Sequence, residues 1–267
     1  MSERVTVDIH DRIARVTLNR PDKHNAIDRA MFEALIDSGE RLSSNRAIRA
    51  VLLTGAGENF CAGIDVSIFG KSDTPPFGAR DLQPRDDSGA NFFQCAALVW
   101  RRLPVPVIAA VRGVAFGAGL QIAMGADLRF AAADSRWSVM EAKWGIIPDM
   151  GLSVTANGVV RCDRLKKLAF TAAIIDGREA QQQGFVTEIH DEPLDAALAL
   201  AQELSMRSPD AIRAVKSLVN AISKESEAAA LRRESTLQAA LLGAPNQVEA
   251  ITANLRARKP EFADPSG

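Results

Sequence analysis

Apolar and polar positions alternate with period two at Val5, Val7 and Ile9, and again through Ile13, Val16 and Leu18, with His-Asp-Arg between the two runs. The pattern predicts two half-buried strands forming a hairpin that turns near Asp11. A polar run at 19–26 stops the second strand. Asp28 then precedes Met31, Phe32, Leu35, Ile36, Gly39 and Leu42, which recur at helical spacing behind a capping residue. Residues 48–54 read as a buried strand that runs into Gly-Ala-Gly-Glu-Asn-Phe-Cys-Ala-Gly-Ile-Asp-Val. Residues 70–90 mix Gly, Pro, Asp and Ser without a period, which predicts a long loop of the kind that often serves as a lid or binding loop. Helical spacing resumes over 91–103 and ends at Pro104. A β-branched and alanine-rich strand follows at 105–111, then Gly113, Gly117 and Gly119, and an apolar helix start at 120–124. Short strands are expected at 127–133, 137–140 and 185–189, with helices at 151–160, 163–171 and 178–183. From 193 to about 259 the pattern is almost purely helical.

Strands alternating with helices, followed by a helical tail, indicate an α/β core (1–192) with a C-terminal helical region (193–267). The two glycine-bearing strand exits, near Gly63 and Gly117, are placed to face one crevice at the carboxyl ends of neighbouring strands. Glycines there let backbone N–H groups approach a ligand, and a helix start adds orphan donors with a partial positive charge. Such a site suits an anion, or an oxygen that becomes anionic during reaction. A packed α/β turn would explain the same glycines equally well. The stretch Gly117-Ala-Gly-Leu-Gln-Ile lacks the third glycine of a dinucleotide fingerprint, and no Walker lysine is present.

Composition narrows the partners. The 267 residues are 47% hydrophobic and 24% charged with a net charge of −1, so no basic surplus argues for nucleic acid or an anionic membrane. Cys61, Cys95 and Cys162 are scattered and match no metal spacing, as expected for reduced thiols in a cytoplasmic protein. No apolar run approaches the ~20 residues of a membrane span, and the chain opens without an apolar signal core. His10, His24 and His190 lie far apart, and no Gly-x-Ser-x-Gly elbow occurs. The expectation is a protein without metal, nucleic-acid partner or membrane partner.

Phe-Cys-Ala-Gly-Ile-Asp at 60–65 together with Gly-Val-Ala-Phe-Gly-Ala-Gly at 113–119 resembles the paired loops of the crotonase, or enoyl-CoA hydratase/isomerase, superfamily. The Asn-Arg-Pro-x-x-x-Asn-Ala loop at 19–26, the Leu-x-Phe-Thr-x-x-x-Ile-Asp-Gly-Arg-Glu-Ala run at 168–180 and the terminal Arg-Lys-Pro-Glu-Phe are similar as well. The likeness covers nearly the whole chain, in order. It implies a β/α spiral core with a helical trimerisation region, assembly as a trimer or hexamer, and an acyl-CoA thioester as ligand, with no cofactor beyond the coenzyme A that the substrate carries. It also implies that the thioester oxygen is held by the N–H groups of Ile64 and Ala118; Ala118 replaces a commoner glycine, but only its N–H is needed. Coenzyme A would lie near Lys23, His24 and Ala26, with Ala62, Asp65, Val66 and Ser67 on the other side and Lys259 available to a phosphate. Asn254 stands where an aromatic residue often helps to hold the adenine.

The acid/base positions discriminate between chemistries. Glu141 matches the second of two hydratase glutamates, whereas the first is Gln121, an amide that cannot serve as a general base. Asp149, eight residues beyond Glu141, matches an acidic position of dienoyl-CoA isomerases, although it could instead cap a helix before Met150 and Gly151. A carboxylate beside an apolar acyl pocket would have its pKa raised by desolvation. The resemblance therefore favours double-bond isomerisation over hydration. The alternatives are a hydratase in which Gln121 only positions water, and a non-catalytic protein that binds CoA esters or RNA. Trp137 and Trp144, on either side of Glu141, read as core.

Overall fold

The structure, a computed structural model, describes residues 3–68, 77–85, 87–222 and 225–265. The hairpin forms as the alternation requires: β1 (Val5–His10) pairs antiparallel with β2 (Ile13–Leu18). Asp11 and Arg12 at the turn have φ of 48° and 66°, the double left-handed conformation that matches strand twist in a two-residue hairpin. Beside β2 run β3 (Ala50–Gly55), β4 (Val107–Val111), β6 (Leu128–Ala131) and β9 (Glu188–Ile189), all parallel, giving a sheet ordered β1-β2-β3-β4-β6-β9.

Period-two burial explains how this sheet is held. Val51, Leu53, Val107, Ala109 and Val111 point to a large core beneath α1 (Arg29–Ser43), α2 (Phe92–Arg102) and α3 (Ala118–Met124). The residues between them, Ala50, Leu52, Ile108 and Ala110, face the other side and pack with Ala197 and Ala201 of α7 (Pro193–Ser205). Both faces are buried, so β3 and β4 are apolar throughout rather than alternating. Asp28 accepts from the Met31 N–H and caps α1, and Asn91 exchanges bonds with Gln94 in a capping box on α2. Gly39 lets the two helices touch, since a Cβ there would lie 2.3 Å from Val99.

A second sheet of three strands sits beside the first and is absent from the sequence reading. It joins β5 (Val114–Phe116), β7 (Arg136–Ser138) and β8 (Ile175–Asp176). Residues 113–119 are therefore a strand bracketed by two glycines, and two- or three-residue strands carry too little periodicity to be read. The strand expected at 137–140 is shorter, because Met140 leads into a tight 3-10 turn, Glu141–Trp144. The helix expected at 151–160 reduces to α4 (Leu152–Thr155), and the strand at 185–189 to β9. The other two helices form as α5 (Cys162–Thr171) and α6 (Gly177–Gln183). The tail continues from α7 as α8 (Pro209–Ala221), α9 (Glu227–Leu241) and α10 (Pro245–Leu255). Of the long loop, 70–76 and 86 lie outside the described residues; Ala79–Leu82 forms a single 3-10 turn.

One buried side chain fastens the loop at 19–26 to the first strand exit. Asn25, at φ 56°, accepts from the Arg20 N–H and donates to the carbonyls of Ala56 and Asn59. Asn25→Ala leaves those groups unpaired and puts in the left-handed conformation a residue without the side-chain hydrogen bonds that let asparagine tolerate it. We expect it to lower unfolding free energy by about 2–4 kcal/mol, read as a fall in the urea midpoint at unchanged slope; an unchanged midpoint would contradict this role.

Candidate active site

The first strand exit is consumed almost donor by donor. Phe60 and Cys61 donate to Arg112 and Val114, and Cys61 accepts from Phe116, so the segment runs alongside β5. Ala62 donates to the His24 carbonyl, Gly63 to the Cys61 sulfur, and Asp65 to the Ile27 carbonyl. Between them, the Ile64 N–H has no acceptor among the described residues. The second exit repeats the arrangement. Gly117, at φ 50°, donates to the Ser138 carbonyl, and α3 begins at Ala118, whose N–H is one of the helix's orphan donors and likewise has no protein acceptor among the described residues.

The two exits meet at backbone contact. A Cβ on Gly63 would lie 2.7 Å from the Phe116 carbonyl oxygen and 3.8 Å from the Ala118 nitrogen, and Gly63 also has φ 93°. A Cβ on Gly119 would lie 2.4 Å from the Cys61 carbonyl oxygen. Glycine at both positions is what lets the unspent Ile64 and Ala118 donors border one cavity, of about 320 Å³. Cys61 lies beneath it, fully buried, with its thiol pushed up to about 12 by burial, so it is packing rather than a nucleophile.

Gln121, Glu141 and Asp149 all border the same cavity. Gln121 is 1% exposed and locked at both ends: its oxygen accepts from the Met150 N–H at 2.8 Å, which turns its NH₂ toward Glu141, 2.6 Å away. Only this amide orientation satisfies both neighbours. Glu141 is 5% exposed, and its second carboxylate oxygen is buried without a hydrogen-bond partner. Burial raises its pKa most; the bond from Gln121 opposes the shift, and the nearby Asp149 charge adds to it. Burial raises Asp149 as well. Asp149 does not cap a helix, for the residue at the head of α4 is Gly151.

The expected coenzyme positions divide into four groups. Ala62 and Val66 border the cavity itself. Lys23, His24 and Ala26 lie on the neighbouring turn, stitched to the exit through the Ala62 bond to His24; Lys23 and His24 are exposed, and the His24 ring contacts the Asn59 amide at 3.0 Å. Ser67 is exposed, while the Asp65 carboxylate is occupied by Arg20 at 2.8 Å and the Ser67 N–H, which outweigh the burial that acts against them and hold its pKa below the ordinary value. Lys259 is not at the cavity within one chain. Asp264 ties the tail to Arg12 and Arg49, which flank the amino-terminal ends of β2 and β3, the end of the sheet away from the strand exits. Asn254 spends its amide on the Ala250 carbonyl one helical turn back.

Trp137 is core, with its indole N–H on Ser135, but Trp144 is 51% exposed and borders the cavity. The phenyl rings of Phe32, Phe77 and Phe93 form another wall. Sequence reading placed Phe32 on a core face and did not single out the others, although the paired Phe92-Phe93 at the start of α2 was a visible signal. Among the described residues no group of three or more His, Cys, Asp or Glu side chains is placed to hold a metal.

Two spare donors facing a pair of raised carboxylates is an arrangement that stabilises a developing oxyanion beside a group able to move a proton. A sequence profile for enoyl-CoA hydratase/isomerase matches residues 8–265. The human mitochondrial Delta(3,5)-Delta(2,4)-dienoyl-CoA isomerase is 33% identical over 218 residues, 76% of this chain and 64% of that protein's length. "Probable enoyl-CoA hydratase echA8" of Mycobacterium leprae is 30% identical over 97% of each chain. Among solved structures, Pseudomonas aeruginosa DspI superposes with a TM-score of 0.87 at 28% identity, covering 98% of this chain and 97% of its own. With the profile spanning nearly every residue and the full-length relatives sharing its fold, the chain belongs to the enoyl-CoA hydratase/isomerase family.

Proposed function

We propose that the protein moves carbon–carbon double bonds in enoyl- or dienoyl-CoA thioesters, with the thioester oxygen received by the Ile64 and Ala118 N–H groups. The observation that carries this reading is Gln121. Its amide is held at both ends inside the protein and, being an amide, cannot ionise, so it cannot serve as the base that activates water. Glu141 is then the base beside the oxyanion loops: its Oε1 lies 3.4 Å from where a Cβ on Gly117 would stand, next to the Ala118 donor.

In this mechanism Glu141 takes a proton from C2, and the C–H electron pair moves into the carbonyl as an enolate whose charge falls on the thioester oxygen. The electrons return through the conjugated chain while a proton is delivered to C4 of a 3-enoyl group, or to C6 of a 3,5-dienoyl group, where Asp149 supplies it. Nothing is oxidised or reduced, so the only cofactor in the proposal is the coenzyme A of the substrate. Burial that raises both carboxylates brings their proton affinity closer to neutral pH, as proton shuttling requires. Hydration is the second reading, favoured by Asp149 bordering the same cavity, where it and Glu141 could hold a water between them.

The coenzyme end is proposed to lie against Lys23, His24 and Ala26, with Ala62, Val66, Ser67 and the backbone of Asp65 opposite; Lys259 would reach it only from a neighbouring copy. Assembly as a trimer, or a pair of trimers, belongs to the same reading. Val215 and Val219 on α8 with Ile222 just past its end, and Val248, Ile251 and Leu255 on α10, repeat at helical spacing and are exposed in the single chain. The number three comes from the family resemblance. A cytoplasmic location fits three cysteines that form no disulfide, and among the described residues no helix is long and apolar enough to cross a membrane. No basic surplus supports a nucleic-acid partner.

Glu141→Gln tests the base. Turnover should fall ~10²-fold or more while acyl-CoA binding persists; an active Glu141→Gln protein would contradict the assignment. The same variant should be more stable than the parent above the raised pKa. A carboxyl whose folded pKa is raised contributes its stabilising proton below the unfolded value near 4.5 and loses it as pH rises through the folded value, so at neutral pH the parent holds a disfavoured charge. The stability difference should vanish in acid, and a difference independent of pH would remove the burial argument.

For the assembly, sedimentation velocity at micromolar concentration should give a single species of three or six chains. A stable monomer would refute it.

A further inference from the structure

Three of the cavity's walls are phenyl rings packed edge to face. Phe32, Phe77 and Phe93 have ring centroids 5.6, 5.3 and 5.0 Å apart, each pair near-perpendicular. Two come from helices, α1 and α2, and are buried; the third, Phe77, comes from the described part of the long loop and is half-exposed. A loop residue in such a triad needs something to hold it. Four residues on, Asp81 accepts from Arg29 of α1 at 3.1 and 3.3 Å and from the Gly78 N–H at 2.8 Å. The Arg29 guanidinium in turn lies 5.9 Å from the centre of the Phe77 ring and 5.0 Å from that of Phe92. The pairing with Asp81 raises the Arg29 pKa and holds that of Asp81 below its usual value.

Phe92 faces away, into a second hollow that is charged, bordered by Arg29, Glu33, Arg80, Asp81 and Arg85. The rings thus form a partition between an apolar cavity and a charged one. Of the cations behind it, Arg29 is engaged by Asp81 and Glu33, and Arg85 lies over the Phe92 ring. A carboxylate at the tail of a ligand would meet ring edges, with no cation among the described residues bordering the cavity to pair it, and would lose hydration on entry.

We propose that Phe77, clamped by the Arg29–Asp81 pair against Phe32 and Phe93, closes the far end of the acyl pocket and restricts the site to uncharged acyl tails of limited length. Phe77 is a specificity-determining residue; Arg29 and Asp81 are positioning residues that act through it. The inference rests on the reading of the cavity as an acyl-CoA site.

The test uses the full-length protein with a homologous series of straight-chain 3-enoyl-CoA substrates, one ω-carboxylated analogue, and binding of the matching non-reactive acyl-CoA thioethers by calorimetry. The parent should show a length optimum and discriminate against the ω-carboxylated analogue by ~10²-fold or more in kcat/KM, or in affinity. Phe77→Ala should move the optimum to longer tails, and Phe77→Trp to shorter ones; a folding defect cannot move it in opposite directions. Asp81→Asn should broaden the length profile through KM while leaving the pH dependence of turnover in place, which a general structural loss would not do. An unchanged length profile in both Phe77 variants, or equal use of the ω-carboxylated analogue by the parent, overturns the proposal while the thioester site stands. No binding of any acyl-CoA by the parent overturns the site itself and the proposal with it.

Discussion

The site depends on a close crossing of two pieces of main chain. Where the segment after β3 passes the segment between β5 and α3, Gly63 touches the Phe116 carbonyl and Gly119 touches that of Cys61. Along these two segments the N–H groups of Ile64 and Ala118 are among the donors that have no acceptor among the described residues. A buried N–H without an acceptor is costly. Ile64 and Ala118 border the cavity, where in the proposed reading a thioester oxygen gaining negative charge takes both donors. Fixed amides of this kind need no reorganisation as charge develops. The six-stranded sheet, with both faces covered by helices, keeps the crossing rigid, and Asn25 binds its outer edge.

A second tension lies beside the first. Glu141 is buried with one oxygen unpaired, and its neighbour Gln121 offers a single hydrogen bond and no charge. A cation in that place would stabilise the carboxylate and depress its basicity; a second carboxylate would raise its pKa further and create a pair that could bind water. The amide does neither. It fixes the orientation of Glu141 and leaves burial to tune it, which suits a group that accepts a proton and returns it.

Much of this was legible in the sequence where chemistry is local. The hairpin and the apolar β3 and β4 follow from periodicity over six or so residues, the cap at Asp28 from its residue type, and the two glycine exits announced themselves as breaks in the pattern. Glu141, Gln121 and Asp149 could be named together only through the family resemblance, because they lie on three different elements and no spacing rule joins them. Strands β5 and β8 were invisible for lack of length. Where the basic tail returns was not legible, because its composition carries no information about which end of the sheet it meets; Asp264, pairing with Arg12 and Arg49, decides that within one chain. Trp144 misled because a tryptophan on a single 3-10 turn has no buried face to join. The phenyl partition escaped because its three rings come from two helices and a loop.

The central claim is that the site moves protons between carbons of a thioester rather than adding water to it. Its most direct test is incubation of the purified protein with 3,5-dienoyl-CoA and, separately, with 2-enoyl-CoA in deuterated water, followed by mass and NMR analysis of the products. The account predicts rapid formation of the 2,4-dienoyl product, with deuterium incorporated at C2 or C6, and slow or no hydration of the 2-enoyl thioester. Rapid conversion of 2-enoyl-CoA to the 3-hydroxyacyl product, with the dienoyl thioester left unchanged and unlabelled, would contradict it.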